Sequence, residues 1–281
     1  MKRILAIIVL YRLPAEQSRA FHSLSHLLRD SEISTEAIEI MICDNSPNVQ
    51  APPVGFAGVY LHDSQNPGLA KHYNMALETA VAKGIGWLML LDQDTTITSG
   101  YIAEALDLSE SLVEDKTIVA LVPKLIERGK VQSPHRPPTL RYPTPLNTAL
   151  YGATSEKLHV YNSGAVLRVE ALSAIGGFPD NFPLDYLDHA TFHNLQLRGG
   201  RLFLLRAMLE HELSSNQSEM LCHSSLLPRQ QSVLVAERTY YRLYGTPLQR
   251  TYHRLRLLRM IYKYMKAGEW RKAFYCLRLA L

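Results

Sequence analysis

The sequence has no apolar run of the roughly 18 residues that a membrane-spanning helix needs. Its longest runs, Ile4–Leu10 and Ile85–Leu91, are strand-sized. Cysteine is scarce: Cys43, Cys222 and Cys276 lie far apart, are odd in number and show no metal-ligand spacing. That excludes a disulfide framework and a zinc signature, and points to a reducing compartment, the cytoplasm. There is no Walker loop and no nucleophile elbow around a serine. The absence of G-x-G-x-x-G removes support for dinucleotide redox chemistry. No internal repeat is found, and the composition is not that of a disordered, collagenous or low-complexity chain.

What is there is 281 residues, 47% hydrophobic and 20% charged. That is enough for one large domain, or a domain with an appendage. Met1–Lys2–Arg3 ahead of Ile4–Leu10 imitates a signal peptide. The apolar stretch is short, however, Arg12 follows at once, and no small-residue cleavage site appears, so a buried first strand is expected. The net charge of +4 is unevenly placed. From Arg229 to Leu281, 12 Lys and Arg face only Glu237 and Glu269, a net +10 that leaves −6 for the remainder. An acidic body with a basic tail implies that the tail meets something anionic. The division expected is 1–228 for the body and 229–281 for the tail.

Ile4–Leu10 reads as a buried parallel strand. Pro14 opens a helix with Phe21, Leu24, Leu27 and Leu28 at helical spacing. Ala37–Cys43 and Val59–His62 are short strands. Gln65–Gly68 breaks the chain before a helix that carries Leu69, Tyr73, Leu77, Ala80 and Val81 on one face and ends at Gly84. Trp87–Leu91 is another buried strand, and a helix capped by Thr98 or Ser99 follows it. Pro134–Pro145 holds five prolines in twelve residues and reads as an irregular loop. Asn162–Arg168 and Arg201–Leu205 read as strands and Asp185–Leu197 as a helix. From about Val233 the pattern is helical and basic. Strands alternating with helices predict an α/β fold with a largely parallel sheet.

Three polar clusters, at Asp44, Asn66 and Asp92, each follow an apolar strand, where ligands bind in such sheets. Asp92 and Asp94 flank one residue and share a face of the extended chain. Two carboxylates on one face repel unless a cation lies between them, and oxygen ligands suit Mg²⁺ or Mn²⁺ with substrate phosphates. A solvated strand exit with a helix cap is the bland alternative for this pair. Asp44 offers an acceptor to the imide N–H of uracil or thymine; an Asx turn with Asn45–Ser46–Pro47 accounts for it equally, and the two are compatible. Asn66–Pro67–Gly68 precedes a helix whose polar face carries Lys71 and Asn74, an arrangement suited to phosphate. Asp185 and Asp188 are three apart. If a helix starts at Pro183 both lie in its first turn, either as ordinary N-terminal charge or as a general base toward a hydroxyl. His211 offers a metal or phosphate ligand, although a lone histidine is more often structural.

The ordered set resembles an inverting family 2 glycosyltransferase of the GT-A fold, and within it is most similar to bacterial rhamnosyltransferases. The resemblance spans roughly residues 4–245. Its pieces are Ile8–Tyr11, Cys43–Ser46, Asn66–Ala70 with Asn74, Leu91–Asp94, Asn162–Ala165, Ile175–Phe178, Leu184–Asp188, His211 and Arg238–Tyr241. It implies a GT-A type Rossmann-like mixed, mostly parallel sheet flanked by helices, with a basic helical C-terminal segment. It also implies that Tyr11, Asp44, Asn66, Gly68, Lys71 and Asp92 bind a nucleotide sugar. Asp92, Asp94 and His211 would hold Mg²⁺ or Mn²⁺, and Asp188 or Asp185 would be the catalytic base. The D-Q-D form points to L-rhamnose from dTDP-rhamnose. A UDP-sugar donor and a catalytically inactive nucleotide-sugar-binding subunit are the alternatives. The chain departs from the family pattern at Thr95, His189–Ala190 and Leu243–Gly245, so acceptor recognition is not read from those positions.

The acceptor class implied is a glycan or polyprenyl-linked oligosaccharide in cell-surface polysaccharide synthesis. In the tail, Arg254, Leu257, Leu258, Ile261, Tyr262 and Met265 form a stripe with Arg256, Arg259, Lys263 and Lys266 around it. Such a helix either lies on an anionic membrane, making the protein peripheral on the inner face, or docks on the catalytic domain or a second subunit. Its apolar content disfavours nucleic acid as a partner. A sugar nucleotidyltransferase is ranked low, because Tyr11–Pro14 stands where its Gly-rich loop belongs.

Overall fold

The computed structural model describes residues 4–29, 37–139, 142–210 and 228–280. They fall into two compact units, Met1–His135 with Pro145–Glu212, and Arg136–Thr144 with Leu213–Leu281. The division expected at 228/229 therefore lies inside the second unit, which also takes the centre of the Pro-rich loop.

The first unit is built on β1 (Ile4–Leu10), β2 (Ile38–Asp44), β3 (Val59–His62) and β4 (Trp87–Asp92). β1 pairs in parallel with both β2 and β4, and β2 with β3. Every residue of β1 and β2 is buried. This explains their near-continuous apolar sequence: helices cover both faces of a parallel sheet, so no side is left for polar residues. Further along the chain come β5 (Ile118–Glu127), β6 (Lys130–Ser133), β7 (His135–Arg136), β8 (Thr144–Pro145), β9 (Gly152–Thr154), β10 (Val166–Arg168) and β11 (Arg201–Glu210). The large sheet runs β3-β2-β1-β4-β10-β5-β11-β9, with β6 pairing β5 outside that path. β10 is antiparallel to β4 and β5, β11 is parallel to β5, and β9 is an antiparallel edge. The fold is thus the mixed, mostly parallel α/β sheet that the alternating pattern predicts.

The helices of this unit are α1 (Arg19–Arg29), α2 (Leu69–Ala82), α3 (Ser99–Ser111), α4 (Val169–Ala174) and α5 (Leu187–Leu197). α1 does not open at Pro14. A 3-10 turn at Ala15–Gln17 comes first, and Ser18 then accepts the Phe21 N–H on its hydroxyl. Thr98 caps α3 by accepting the Tyr101 N–H at 3.3 Å. Val81, expected on the packed face of α2, is 55% exposed. α5 starts at Leu187, because Tyr186 takes a left-handed conformation at φ 62° through which a right-handed helix cannot run. Asp188 is therefore in the first turn and Asp185 is outside the helix, where the sequence placed both inside.

The second unit contains α6 (Pro228–Tyr244), α7 (Pro247–Lys266) and α8 (Trp270–Ala280). Thr246 and Gln249 close a capping box at the start of α7. Leu234, Leu257 and Cys276, one from each helix, form its small core. Beside it the buried Glu237 accepts from Arg256 at 2.7 Å.

Candidate functional site

The sheet register fixes the site. Val9 of β1 stands beside Asp92 of β4, and Leu10 stands beside Asp44 of β2. Both aspartates therefore leave the carboxyl end of the sheet on either side of β1, the position at which open α/β sheets bind ligands. Asp44 is fully buried. Its Oδ1 accepts the Ser46 N–H at 2.9 Å, and its Oδ2 accepts the Gln50 N–H at 3.0 Å and lies 2.9 Å from the Tyr60 hydroxyl. The Asx turn is what the structure shows. Burial alone pushes this carboxyl up, but the hydrogen bonds from Ser46, Gln50 and Tyr60 outweigh it and hold Asp44 below its ordinary range. The next residue, Asn45, presents Oδ1 to Nε2 of the buried His72. Burial lowers the His72 pKa. Tyr11, 40% exposed, donates its N–H to Gln93 Oε1 at 2.9 Å, and Arg12 donates its N–H to Ser46 Oγ. The loop after β1 is thus tied to the exits of both β2 and β4.

Asp92 is held from the opposite side. The turn Asn162–Ala165 is bonded to β4, with Gly164 N–H donating to the Leu90 carbonyl and Leu90 N–H to that of Ala165. Tyr101 donates its hydroxyl to the Gly164 carbonyl at 2.6 Å. Gly164 is needed there: its φ is +72°, and a Cβ would meet Leu209 Cδ1 at 2.5 Å. The turn delivers the Ser163 hydroxyl to Asp92 Oδ2. A carboxylate has about four acceptor positions, of which the Ser163 bond takes one. Asp92 and half-buried Asp94 together make a donor set of carboxylate oxygens only. Such a set fits Mg²⁺ or Mn²⁺ rather than a softer metal.

The start of α2 is less open than its sequence suggests. The Leu69 and Ala70 N–H groups both donate to the Pro183 carbonyl. Lys71 pairs with Asp63 at 2.9 Å, and Asn66 is exposed in a left-handed conformation at φ 46°. Asn74, read as a polar-face neighbour of Lys71, is a clamp instead. Its amide donates to the Phe178 carbonyl at 2.9 Å and accepts the Phe178 N–H at 2.8 Å. The segment leading to Asp185 and Asp188 is thereby fastened to α2. Asp188 accepts both the backbone and the ring N–H of His189, each at 2.7 Å, through Oδ1.

Tyr73, read from the sequence as a packing residue, joins these parts. It is fully buried, with its ring centroid 5.1 Å from that of Phe178. Burial raises its pKa far above the ordinary value, and the charges of Asp92, Asp188 and then Cys43 raise it further. The Tyr73 hydroxyl thus lies in the fields of both carboxylates. It and Asn162 Oδ1 are buried with no hydrogen-bond partner among the described residues. Orphaned buried polar atoms are uncommon, and each calls for a water or a ligand as its partner. Its place in an apolar helical stripe hides Tyr73 in the sequence, while Ser163 is legible there only as part of the Asn162–Ala165 motif. His211 lies outside the described residues.

No protein-family model matches the chain, and no curated protein matches it. Solved structures do. A crystal structure of S. aureus TarS residues 1–349 is 14% identical with a TM-score of 0.53, covering 100% of this chain and 92% of that one. The same fragment in complex with UDP gives a TM-score of 0.50 at 14% identity, with the same coverage of both chains. In complex with UDP-GlcNAc it gives 0.50 at 14% identity, covering 96% of this chain and 90% of that one. At such identity the likeness concerns the fold, and the fold of this chain is that of a GT-A type glycosyltransferase.

Proposed function

We propose that this chain is an inverting glycosyltransferase that moves a sugar from a pyrimidine nucleoside diphosphate to an acceptor hydroxyl. The observation that carries the reading is geometric: the register puts Asp92, held by Ser163, at the carboxyl end of the sheet, and Asn74 and the Pro183 carbonyl fasten the segment that carries Asp188 to the start of α2. One carboxylate suits the donor's diphosphate and its cation, and the other suits the acceptor, at the sheet end where the GT-A fold binds its donor. Asp188 takes the proton of the acceptor hydroxyl, which attacks the anomeric carbon in line as the nucleoside diphosphate departs. Asp92, fixed by Ser163, and Asp94 are the residues that would hold Mg²⁺ or Mn²⁺. When bound, that cation neutralises the charge gathering on the leaving group. One displacement gives one inversion, and no enzyme nucleophile is required.

The D-Q-D resemblance supports dTDP-L-rhamnose as donor, whereas the UDP and UDP-GlcNAc complexes of TarS support a UDP-sugar. A glycan or lipid-linked oligosaccharide is the acceptor in this reading, and the protein works on the cytoplasmic face of a membrane. Among the described residues no helix is long and apolar enough to cross one. Calorimetric titration with dTDP-rhamnose, UDP-sugars and GDP-mannose, with Mg²⁺ or Mn²⁺ and again with EDTA, tests the proposal. Cation-dependent binding of a dTDP- or UDP-sugar supports it and selects the donor. Failure of every nucleotide sugar to bind rejects it.

A further inference from the structure

We propose that His135, His159 and His189 form a site for a divalent transition metal of the zinc class, separate from the carboxylate pair Asp92 and Asp94. These residues are far apart in sequence. Their chemistry appears only in the fold, where one ring nitrogen from each lies within 4.8 Å of the others. Tetrahedral zinc with imidazole ligands requires nitrogens about 3.4 Å apart, so side-chain rotations closing the set by about 1.5 Å complete the geometry.

Three features point to ligation rather than to packing alone. First, His135 and His159 face each other across an antiparallel bridge, their N–H groups donating to each other's carbonyls at 3.0 and 2.9 Å. Residues so opposed place their side chains on one face, and the first turn of α5 brings His189 against that face. Second, the rings are not stacked in parallel. Their planes meet at 82° for His135 and His159, 64° for His159 and His189, and 58° for His135 and His189, with centroids 5.4, 4.4 and 5.9 Å apart. Rings inclined in this way can aim nitrogens at one point, whereas parallel stacks cannot. Third, two rings already carry the outer contacts that metal-bound histidines use. His135 Nδ1 lies 3.2 Å from the Gln132 carbonyl, and His189 Nδ1 lies 2.7 Å from Asp188 Oδ1. Such partners fix the Nδ1–H tautomer and assign coordination to Nε2. An all-imidazole set selects zinc, copper, nickel or cobalt over magnesium and calcium.

A metal here joins the His135–His159 ladder to the turn that carries Asp188. It holds His189 as the donor to Asp188, so it orients the proposed base without touching substrate. That link to Asp188 rests on the glycosyltransferase reading, whereas the metal site itself does not.

The test uses the full chain without a polyhistidine tag, stripped with EDTA and carrying Asp92→Asn and Asp94→Asn to remove the carboxylate site. Titration with Co²⁺ followed by Zn²⁺ competition is expected to show one equivalent per chain. A tetrahedral Co²⁺ visible spectrum should appear, with micromolar or tighter affinity. His159→Asn and His189→Asn each abolish that spectrum, and Asp188→Asn weakens binding about tenfold through the lost outer contact. No saturable Co²⁺ spectrum in the unsubstituted cluster overturns the site, and this arm requires no cluster variant to fold. An unchanged spectrum in folded His159→Asn and His189→Asn proteins overturns it equally. Donor binding by the wild-type chain is read separately, so failure of one proposal is distinguishable from failure of the other.

Discussion

The carbonyl of Pro183 accepts the N–H of Leu69 at 2.6 Å, which seats the loop before the proposed base directly on the first turn of α2. Gly68 makes this approach feasible. Its φ is +91°, and a Cβ there would meet the Pro183 oxygen at 2.3 Å. Gly68→Ala must therefore both strain the backbone and push the loop away, at a cost of about 3 kcal/mol. Denaturant midpoints are expected to fall, and transfer activity to fall further than stability alone explains. An unchanged midpoint would show that the loop is not held by this contact.

Asp44 predicts an acid-sensitive anchor. Its pKa is lowered on folding, so it contributes stability above the unfolded value of about 3.9. That contribution is lost as pH falls through the folded value. Tyr60→Phe removes one of the hydrogen bonds that stabilise the charged form. The variant should be less stable by about 1–2 kcal/mol at neutral pH. The gap should narrow as pH falls below about 4. Chemical denaturation across that range checks both the size and the sign; a gap that widens in acid contradicts the assignment.

The two candidate bases separate by position. Asp188 lies in the first turn of α5 and accepts from the backbone and ring of His189, while Asp185 lies before the helix. Asp188→Asn is expected to lower kcat by about 10³ with donor affinity retained, within the range for loss of a general base. Asp185→Asn should have a much smaller effect on kcat. Steady-state kinetics on both variants decides the assignment, and the reverse ranking moves the base to Asp185.

The fold was legible because its strands are buried on both faces. β1, β2 and β4 show as apolar runs, and their polar exits mark the end of the sheet that carries the candidate site. β5 and β6 do not show, since Pro123 and Lys124 interrupt the apolar pattern; the buried Lys124 is satisfied by the Leu205 carbonyl, a partner far along the chain. The carboxylates of the candidate site stand out in the sequence as motifs. Their supports were not: Asn74 clamps Phe178, Ser163 holds Asp92, and His135 meets His159 through contacts between distant segments, for which no local pattern exists. The tail stripe was read as one surface, but the helical hairpin divides it. Leu257 is fully buried in the small core, whereas Tyr262 is 70% exposed.

That division predicts which residues meet a membrane. Trp270 and Phe274 of α8 are 55% and 63% exposed and lie on a basic unit. Aromatic residues of this kind favour the lipid interface. Trp270→Ser with Phe274→Ser should abolish co-sedimentation with anionic liposomes while leaving the thermal midpoint within a few degrees. Binding that ignores lipid charge, or survives the double substitution, rejects the membrane partner in favour of protein docking.

Tyr73 offers the sharpest separation of stability from function. Among the described residues its buried hydroxyl has no hydrogen-bond partner, and such a group carries a desolvation cost of about 1–3 kcal/mol that Tyr73→Phe removes. The ring contact with Phe178 is retained in the variant, and packing is unchanged apart from one oxygen. The apo protein should therefore be as stable as the wild type, or more stable by about 1 kcal/mol. If the hydroxyl finds its partner in the bound donor or acceptor, the same variant loses that bond in the complex, and kcat/KM falls by roughly tenfold. Thermal unfolding with and without donor, run beside kinetics, reads both effects. A variant that is clearly less stable without ligand shows that the hydroxyl serves the fold. One that is stable and fully active shows that the ligand does not reach the Tyr73 hydroxyl.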